Sequence, residues 1–353
     1  MKKFTVFSGF LGSGKTTTMT ALTKYFSKHH GKAAMISNDL GHQNLADNKL
    51  AQLSGCNASE LTGECICYQT ENLVNRLDQL FCNDGCDLVI SDIPGFGVGA
   101  LDHVYHTLQK QYTDRYELAP FTVLVEPNTV EMLQYGKGGE LTYILKAQLL
   151  EADLIVLNKC DLIRKEEQQS MIAYLAANYP QAKTVAISAL TGEGLEDLSH
   201  ALIQGCASMH LPDIGYGGAS FMNAMGKLSE FYVQYYATIC CNDFDGNHYL
   251  IALAETIQKE VKAAGGEIPH LKLLAWEPEG DYGKADLLGV HRPVEISKHF
   301  KKPCTELAVM LNTSAACPGN TLEKIMTDAY ETVSEQFHLS LIIYKKETIA
   351  MGG

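Results

Sequence analysis

Near its start the chain reads GFLGSGKT, from Gly9 to Thr16, between an apolar run (FTVFSGF) and a stretch that patterns as a helix from Lys15. This is the phosphate-loop pattern G-x-x-x-x-G-K-[ST], and it works in one setting, a β-strand running into a helix N-terminus. Gly9, Gly12 and Gly14 let the backbone wrap an anion with its N–H groups, with Ser13 and Thr17 completing the cradle. Lys15 carries an ammonium to the β and γ oxygens of a nucleoside triphosphate, and Thr16 offers a hydroxyl to Mg²⁺. The loop therefore commits the first part of the chain to an α/β sheet with a nucleotide at the strand ends.

The downstream pattern agrees. KAAMISND, DLVISDIPG, FTVLVE, ADLIVLNK and KTVAISAL alternate with amphipathic helical stretches, as parallel strands with crossover helices do. The continuous apolar character of DLVIS and LIVLN suits strands covered on both faces, so a doubly wound, mainly parallel P-loop NTPase sheet is expected. After a helix ending near Gln204, the segment CASMHLPDIGYGGAS reads as a linker. It divides the chain into a nucleotide domain over 1–211 and a second domain over 212–353. At 353 residues the chain is long enough for two cores. Beyond the linker, LSEFYVQYYATI, a helix closed by Gly265 and Gly266, and HLKLLAW form one βαβ unit. PVEISKHF, TELAVMLN, the helix TLEKIMTDAYETVSEQF and LSLIIYKK form another. The pair predicts a smaller α+β domain of ferredoxin-like type, suited to docking a client or partner.

Three further motifs specify the nucleotide. Asp92 ends the strand LVISD and is followed by Ile93-Pro94-Gly95, so its carboxylate suits the Mg²⁺ shell and Gly95 suits sensing of the γ-phosphate through its N–H. Asn158-Lys159-Cys160-Asp161 closes ADLIVLNK, and the Asp161 carboxylate can accept from guanine N1–H and the exocyclic amine, an arrangement adenine lacks. SALTGEGLEDL from Ser188 follows, where an N–H of the Ser188-Ala189 turn can reach the guanine oxygen. Together these predict GTP as ligand and a GTPase activity.

Composition removes the competing classes. A formal net charge of −13 and the lack of clustered Lys and Arg argue against nucleic acid. No apolar stretch reaches the roughly 20 residues that span a bilayer, and the N-terminal apolar run leads into the phosphate loop, so no membrane partner and a cytoplasmic location are expected. Eleven cysteines then read as reduced thiols, some of them candidate metal ligands, rather than as a disulfide framework.

GFLGSGKTT, with SNDLG at Ser37 to Gly41 and ELTGECICY at Glu60 to Tyr68, closely resembles the CobW family of P-loop GTPases, over roughly residues 4 to 200. Its relatives include HypB, UreG and MeaB. The resemblance implies a GTP-gated metallochaperone or cofactor-insertion factor that carries Zn²⁺, Co²⁺ or Fe²⁺ to a metalloprotein, or serves a corrinoid-protein client, and that forms a nucleotide-dependent homodimer. It also aligns Asp39 with the acidic residue of the first switch, and Asp47 lies where a switch aspartate could reach the Mg²⁺ or the attacking water. The family's usual C-x-C-C is here Cys65-Ile66-Cys67-Tyr68, one thiolate short, so a tetrahedral site needs a further ligand. Cys56, His42, Asp39, Cys82 and Cys86 are the candidates, and the alternative is that Cys65 and Cys67 are simply loop thiols. The other candidates have plainer readings: Cys82 and Cys86 as a packed helix face, Cys240, Cys241, Cys304 and Cys317 as core thiols, Cys206 and His210 as a helical i,i+4 pair without partners, and His29 and His30 as a helix end. No arginine finger is recognisable, so slow intrinsic hydrolysis is expected. A chaperone that protects or reactivates a metalloenzyme without carrying metal is the alternative function.

Overall fold

The computed structural model describes residues 2–10, 12–39, 55–62, 64–95, 97–112, 115–135, 141–215, 218–240, 242–278 and 280–350. Apolar runs of the first half become β1 (Lys3–Gly9), β2 (Ala33–Asp39), β3 (Ala58–Thr62), β4 (Leu88–Asp92), the short β5 (Glu117–Leu118), β6 (Thr122–Val125), β7 (Leu154–Leu157) and β8 (Lys183–Ala186). They lie in the order β3-β2-β4-β1-β6-β7-β8, with β5 beside the start of β1, and every pairing is parallel. All residues of β1, β4, β6 and β7 are buried, which is why these strands lack polar alternation. The crossovers supply α1 (Lys15–His29), α2 (Thr70–Asp78, prolonged by a π-helical turn at Gln79–Asn83), α3 (π-helical over Leu101–His106, then α-helical over Thr107–Gln111), α4 (Pro127–Tyr135), α5 (Leu141–Glu151), α6 (Lys165–Asn178) and α7 (Leu195–Gln204).

From β1 the chain winds one way to β2 and β4 and later the other way to β6, β7 and β8, so the carboxyl end of β1 is a topological switch point. Between β5 and β6 the ladder on that side of β1 is interrupted, since β5 pairs with Lys3 and Phe4 and β6 with Phe7 to Gly9. Side chains fill the gap. The Thr5 hydroxyl donates to the Pro120 carbonyl at 2.9 Å, and the Val6 N–H donates to the hydroxyl of buried Tyr105 at 3.0 Å.

The chain divides into two compact units, Met1–Phe221 and Met222–Gly353. The Gly- and Pro-containing segment expected as the linker is docked on the first unit through the Ala207 N–H to the Leu118 carbonyl, His210 Nε2 to the Leu150 carbonyl and the Tyr143 hydroxyl to the Ile214 carbonyl. A short helix, α8 (Ala219–Met225), follows.

The second unit comprises β9 (Ser229–Thr238), α9 (Gly246–Ala263), β10 (Glu267–Trp276), β11 (Tyr282–Leu287), β12 (Glu295–Lys298), β13 (Glu306–Ala316), α10 (Gly319–Gln336) and β14 (Ser340–Ala350). Its antiparallel sheet runs β12-β11-β10-β13-β9-β14. The contiguous strands β10-β13-β9-β14 and the two helices are a split β-α-β pair, the ferredoxin-like arrangement. PVEISKHF does not open its second half. It forms β12, which with β11 makes a hairpin added to the edge of β10, and the strand entering α10 is β13. β9 alternates strictly, and its inward Phe231, Val233 and Tyr235 pack with Leu250, Leu253 and Ile257 of α9 and Met326, Tyr330 and Val333 of α10. The Asp245 carboxylate caps α9 by accepting from the Asn247 and His248 N–H groups. Cys304 and Cys317 are core residues, but Cys240 is exposed just past the end of β9, and Cys241 lies outside the described residues. Among the described residues no helix is long and apolar enough to cross a membrane.

Candidate nucleotide site and its cysteine turn

β1 delivers the chain to the phosphate loop with positive φ at Gly9 (133°), Gly12 (79°) and Gly14 (89°). Two of these positions also exclude a side chain on steric grounds. A Cβ at Gly9 would lie 2.3 Å from the Leu124 carbonyl oxygen, and one at Gly14 would lie 2.3 Å from Asn158 Nδ2. Lys15 folds back over the loop, its ammonium donating to the Gly9 carbonyl at 2.6 Å. Gly14 caps the start of α1, and Thr16 and Thr17 stand in its first turn, half-buried. The Ser13 hydroxyl is buried in the loop without a hydrogen-bond partner among the described residues.

Asn158 ties this loop to the other side of the site. Its Nδ2 donates to the Ser13 carbonyl at 2.9 Å, and its Oδ1 accepts from the Ala189 N–H at 3.1 Å. One buried amide thus holds the phosphate loop and the Ser188-Ala189 turn at a fixed separation. Lys159 adopts φ 62°, a left-handed conformation unusual for a residue with a side chain, and the 3₁₀ turn Cys160–Leu162 then leaves Asp161 exposed. Leu162 (62%) and Leu190 (73%) are among the most exposed apolar side chains of the chain. Buried Ser188 fixes its own turn by accepting the Thr191 N–H on Oγ.

On the opposite side, Phe7 pairs with Asp92 in register, which sets this carboxylate beside the strand that enters the loop. Asp92 is buried, and its Oδ1 accepts from the Asn38 N–H at 2.7 Å. The Asn38 side chain continues outward: Nδ2 donates to the carbonyls of Leu61 (3.1 Å) and Glu64 (2.9 Å), and Oδ1 accepts from the Ile66 N–H (2.9 Å). Ile66 begins the 3₁₀ turn Ile66–Tyr68, flanked by Cys65, whose sulfur lies 3.0 Å from that of Cys67. The sulfur–sulfur hydrogen bond lowers the pKa of the Cys65 thiol and raises that of Cys67, with burial adding to the rise at Cys67. Beyond Asp92, the carbonyls of Gly95 and Gly97 accept from Gln148 Nε2 at 3.1 and 3.0 Å, and the Glu151 carboxylate accepts the N–H groups of Gly99 (2.8 Å) and Leu101 (3.1 Å). Burial outweighs these two bonds and pushes the Glu151 carboxyl up to about 7.

Comparison with known families decides the assignment, because residues 3–186 match the model described as CobW/HypB/UreG, nucleotide-binding domain. The chain belongs to the CobW/HypB/UreG family of P-loop GTPases. It is 26% identical over 267 residues to zinc-regulated GTPase metalloprotein activator 1 of Dictyostelium discoideum, covering 62% of this chain and 55% of that protein. It is 32% identical over 124 residues to GTPase Era of Geotalea uraniireducens, covering 35% of this chain and 40% of that protein. The chain thus spans about half the length of each of these relatives. Among solved structures it is similar to HypB from Helicobacter pylori in complex with nickel, at 19% identity and a TM-score of 0.41, covering 57% of this chain and 85% of that one.

Several expectations about the CobW-like cysteine motif change. Among the described residues no group of three His, Cys, Asp or Glu side chains could hold a metal ion, so the described candidates do not complete the Cys65-Cys67 pair. Cys56 donates to the Thr20 carbonyl, exposed Cys82 lies 3.3 Å from the Lys2 ammonium, and buried Cys86 accepts from Asn57. Cys82 and Cys86 share no helix face, because α2 passes into a π-helical turn that ends at Asn83. Cys206 and His210 are not helical, and the spacing between them has no spatial meaning. Asp39 ends β2 opposite Thr62 in register. Asp47 and His42 lie outside the described residues.

Asn38, Gln148 and Glu151, which brace backbone segments around the site, were not legible in the sequence. The signal for the latter two is present, since Gln148 and Glu151 interrupt an otherwise apolar helix face at i,i+3 spacing and are both 1% exposed.

Proposed function

We propose that this protein binds GTP with Mg²⁺, hydrolyses it to GDP and phosphate, and couples that cycle in the cytoplasm to a transition-metal ion handled by the Cys65-Cys67 turn. The observation that carries the nucleotide reading is Asn158, whose two hydrogen bonds join a phosphate loop to a base-side turn. The residues present fit the ligand. Gly9 and Gly14 leave no room for a side chain against Leu124 and Asn158, the Ser13 hydroxyl is buried without a partner among the described residues, and a polyphosphate would meet the loop N–H groups and Lys15. Thr16 and Asp92 offer hard oxygen ligands, with Asp39 and Asp47 as further candidates read from the sequence; Mg²⁺ bound there would neutralise phosphate charge. Gly95 lies on the loop that γ-phosphate loss would release. Asp161 accepts the two guanine donors, Ser188 and Ala189 shape the oxygen side, and the Lys159 stem and Leu190 give apolar surface to the ring faces. Because the Ala189 N–H is already engaged by Asn158, any contact it makes with the base is shared.

The metal reading draws support from the zinc-regulated relative and from paired thiols, which favour Zn²⁺, Co²⁺ or Fe²⁺ over hard ions. The ion is then cargo for a metalloprotein client, passed on from a nucleotide-dependent homodimer. Metal analysis of protein purified without oxygen tests it. The proposal expects bound metal that differs between GTP-analogue and GDP states and disappears in Cys65→Ser/Cys67→Ser, whereas metal content untouched by that change contradicts it.

That no third ligand stands beside Cys65 and Cys67 among the described residues supports a second reading, in which the GTPase guards a metalloenzyme or corrinoid enzyme through protein contacts alone. Nucleotide-dependent capture of such a client by the cysteine-free variant supports this reading, and loss of capture with the thiols counts against it.

A further inference from the structure

The cysteine turn and the nucleotide site are joined by one buried side chain. Asn38 is the penultimate residue of β2, and its main-chain N–H is fixed to the Asp92 carboxylate at 2.7 Å. Its side chain has two donors and an acceptor, and all are spent on the approach to the cysteine turn: the Leu61 and Glu64 carbonyls and the Ile66 N–H. Asn38 is 3% exposed and Ile66 is fully buried, so water cannot stand in for these bonds when the backbone shifts. No other side chain of similar length offers the same set: aspartate lacks the donors, and serine or threonine lacks a second one.

We infer that the Asn38 side chain is the positioning residue through which the occupancy of the nucleotide site changes the geometry and reactivity of the Cys65-Cys67 thiols. The link is short and directional. A change at Asp92 moves the Asn38 main chain, the side chain carries the Ile66 amide with it, and Ile66 joins in sequence the two cysteines whose sulfurs sit 3.0 Å apart. The same turn faces the far end of the segment that begins at Asp92. The rings of Tyr68 and His103 lie 6.0 Å apart, and His103 belongs to the π-helical start of α3, whose first turn is held by Glu151. Gln148 fixes Gly95 and Gly97 from the same helix as Glu151. The cysteine turn therefore meets Asp92 through Asn38 and the π-helical start of α3 through the Tyr68–His103 ring contact. This inference rests on the nucleotide reading of the site and is independent of whether the thiols carry metal.

The geometry also provides the test. Asn38→Ala removes the side-chain bonds to the turn but keeps the main-chain N–H that Asp92 accepts. Reduced full-length protein is saturated in Mg²⁺ buffer with GDP or with a β,γ-imido GTP analogue, binding of each is measured by calorimetry, and alkylation of Cys65 and Cys67 by iodoacetamide is followed by mass spectrometry. In the natural protein the alkylation rates should differ at least about fivefold between the two nucleotides, the lower range of typical site-to-site couplings. In Asn38→Ala the difference should collapse to under about twofold while both affinities stay within about threefold of the natural protein, since the coupling alone is cut. A variant that keeps the full nucleotide-dependent difference overturns the inference, as does an unchanged alkylation rate in natural protein shown to bind both nucleotides. Absence of binding by calorimetry overturns the nucleotide reading itself and is recorded separately. If the variant does not fold, hydrogen exchange at the Ile66 amide of the natural protein decides: it should differ between the two nucleotide states, and equal exchange overturns the inference.

Discussion

At the scale of single residues, the site is built from side chains whose shape leaves few substitutes. Gly14 combines φ 89° with an Asn158 amide 2.3 Å from where a Cβ would stand. Gly14→Ala must strain the backbone or displace Asn158 from Ser13, so it should cost about 1–3 kcal/mol in stability and at least about tenfold in GTP affinity, read by thermal denaturation and calorimetry. Asp161 makes a more specific prediction. A carboxylate accepts from both guanine donors, whereas an amide offers one acceptor and one donor, which matches xanthine, whose ring carries oxygen in place of the exocyclic amine. Asp161→Asn should therefore reverse the preference from GTP toward XTP, by at least about a hundredfold in the ratio of affinities. An unchanged ratio means that Asp161 does not read the base. These residues stand out in the sequence because each motif needs a particular residue type at a fixed local spacing. Asn38 does not, since its partners Asp92 and Ile66 lie 54 and 28 positions away and only the folded sheet brings them together.

At the scale of elements, α5 is the part that local patterns describe least well. It reads as an apolar helix, yet it holds the loop after Asp92 through Gln148 and Glu151. The Glu151 carboxyl is raised to about 7 from its ordinary value, chiefly by burial, with Asp102 adding to the rise. A carboxyl with a higher pKa folded than unfolded binds more protons in the native state between those two values, so native stability falls as pH rises through that window and levels off above about 7. The slope contributed should approach about 1.4 kcal/mol per pH unit at most. Glu151→Gln should remove this component, so the natural protein loses more thermal stability than the variant between pH 5 and pH 8. Equal losses in the two proteins mean that Glu151 does not carry the shift. The π-helical turns at Gln79–Asn83 and Leu101–His106 were equally hidden, because insertion of a residue into a helix leaves the apolar period almost intact over so few residues. The second placed Tyr105 under β1, where its hydroxyl completes a ladder that β5 and β6 leave open.

At the scale of the whole molecule, two different kinds of pattern made the two units legible. The first unit announces itself through fully buried strands and the nucleotide motifs at their carboxyl ends. The second does so through strict alternation in β9 and the helices α9 and α10 that cover its inward face. What alternation does not reveal is how strands pair, so PVEISKHF, which forms β12, reads as part of the second half of the ferredoxin-like core, and its hairpin partner β11 goes unread. The boundary shows the same limit: composition marks a linker, but hydrogen bonds from Ala207, His210 and Tyr143 keep that segment on the first unit. Every functional statement about the molecule depends on a guanine triphosphate occupying the first unit. Isothermal titration of the full chain with the imido analogues of GTP and ATP in Mg²⁺ buffer addresses this directly. Saturable binding of the guanine ligand, at least about a hundredfold tighter than the adenine one, is the predicted result. Equal affinities, or no heat of binding for the guanine analogue, would contradict it.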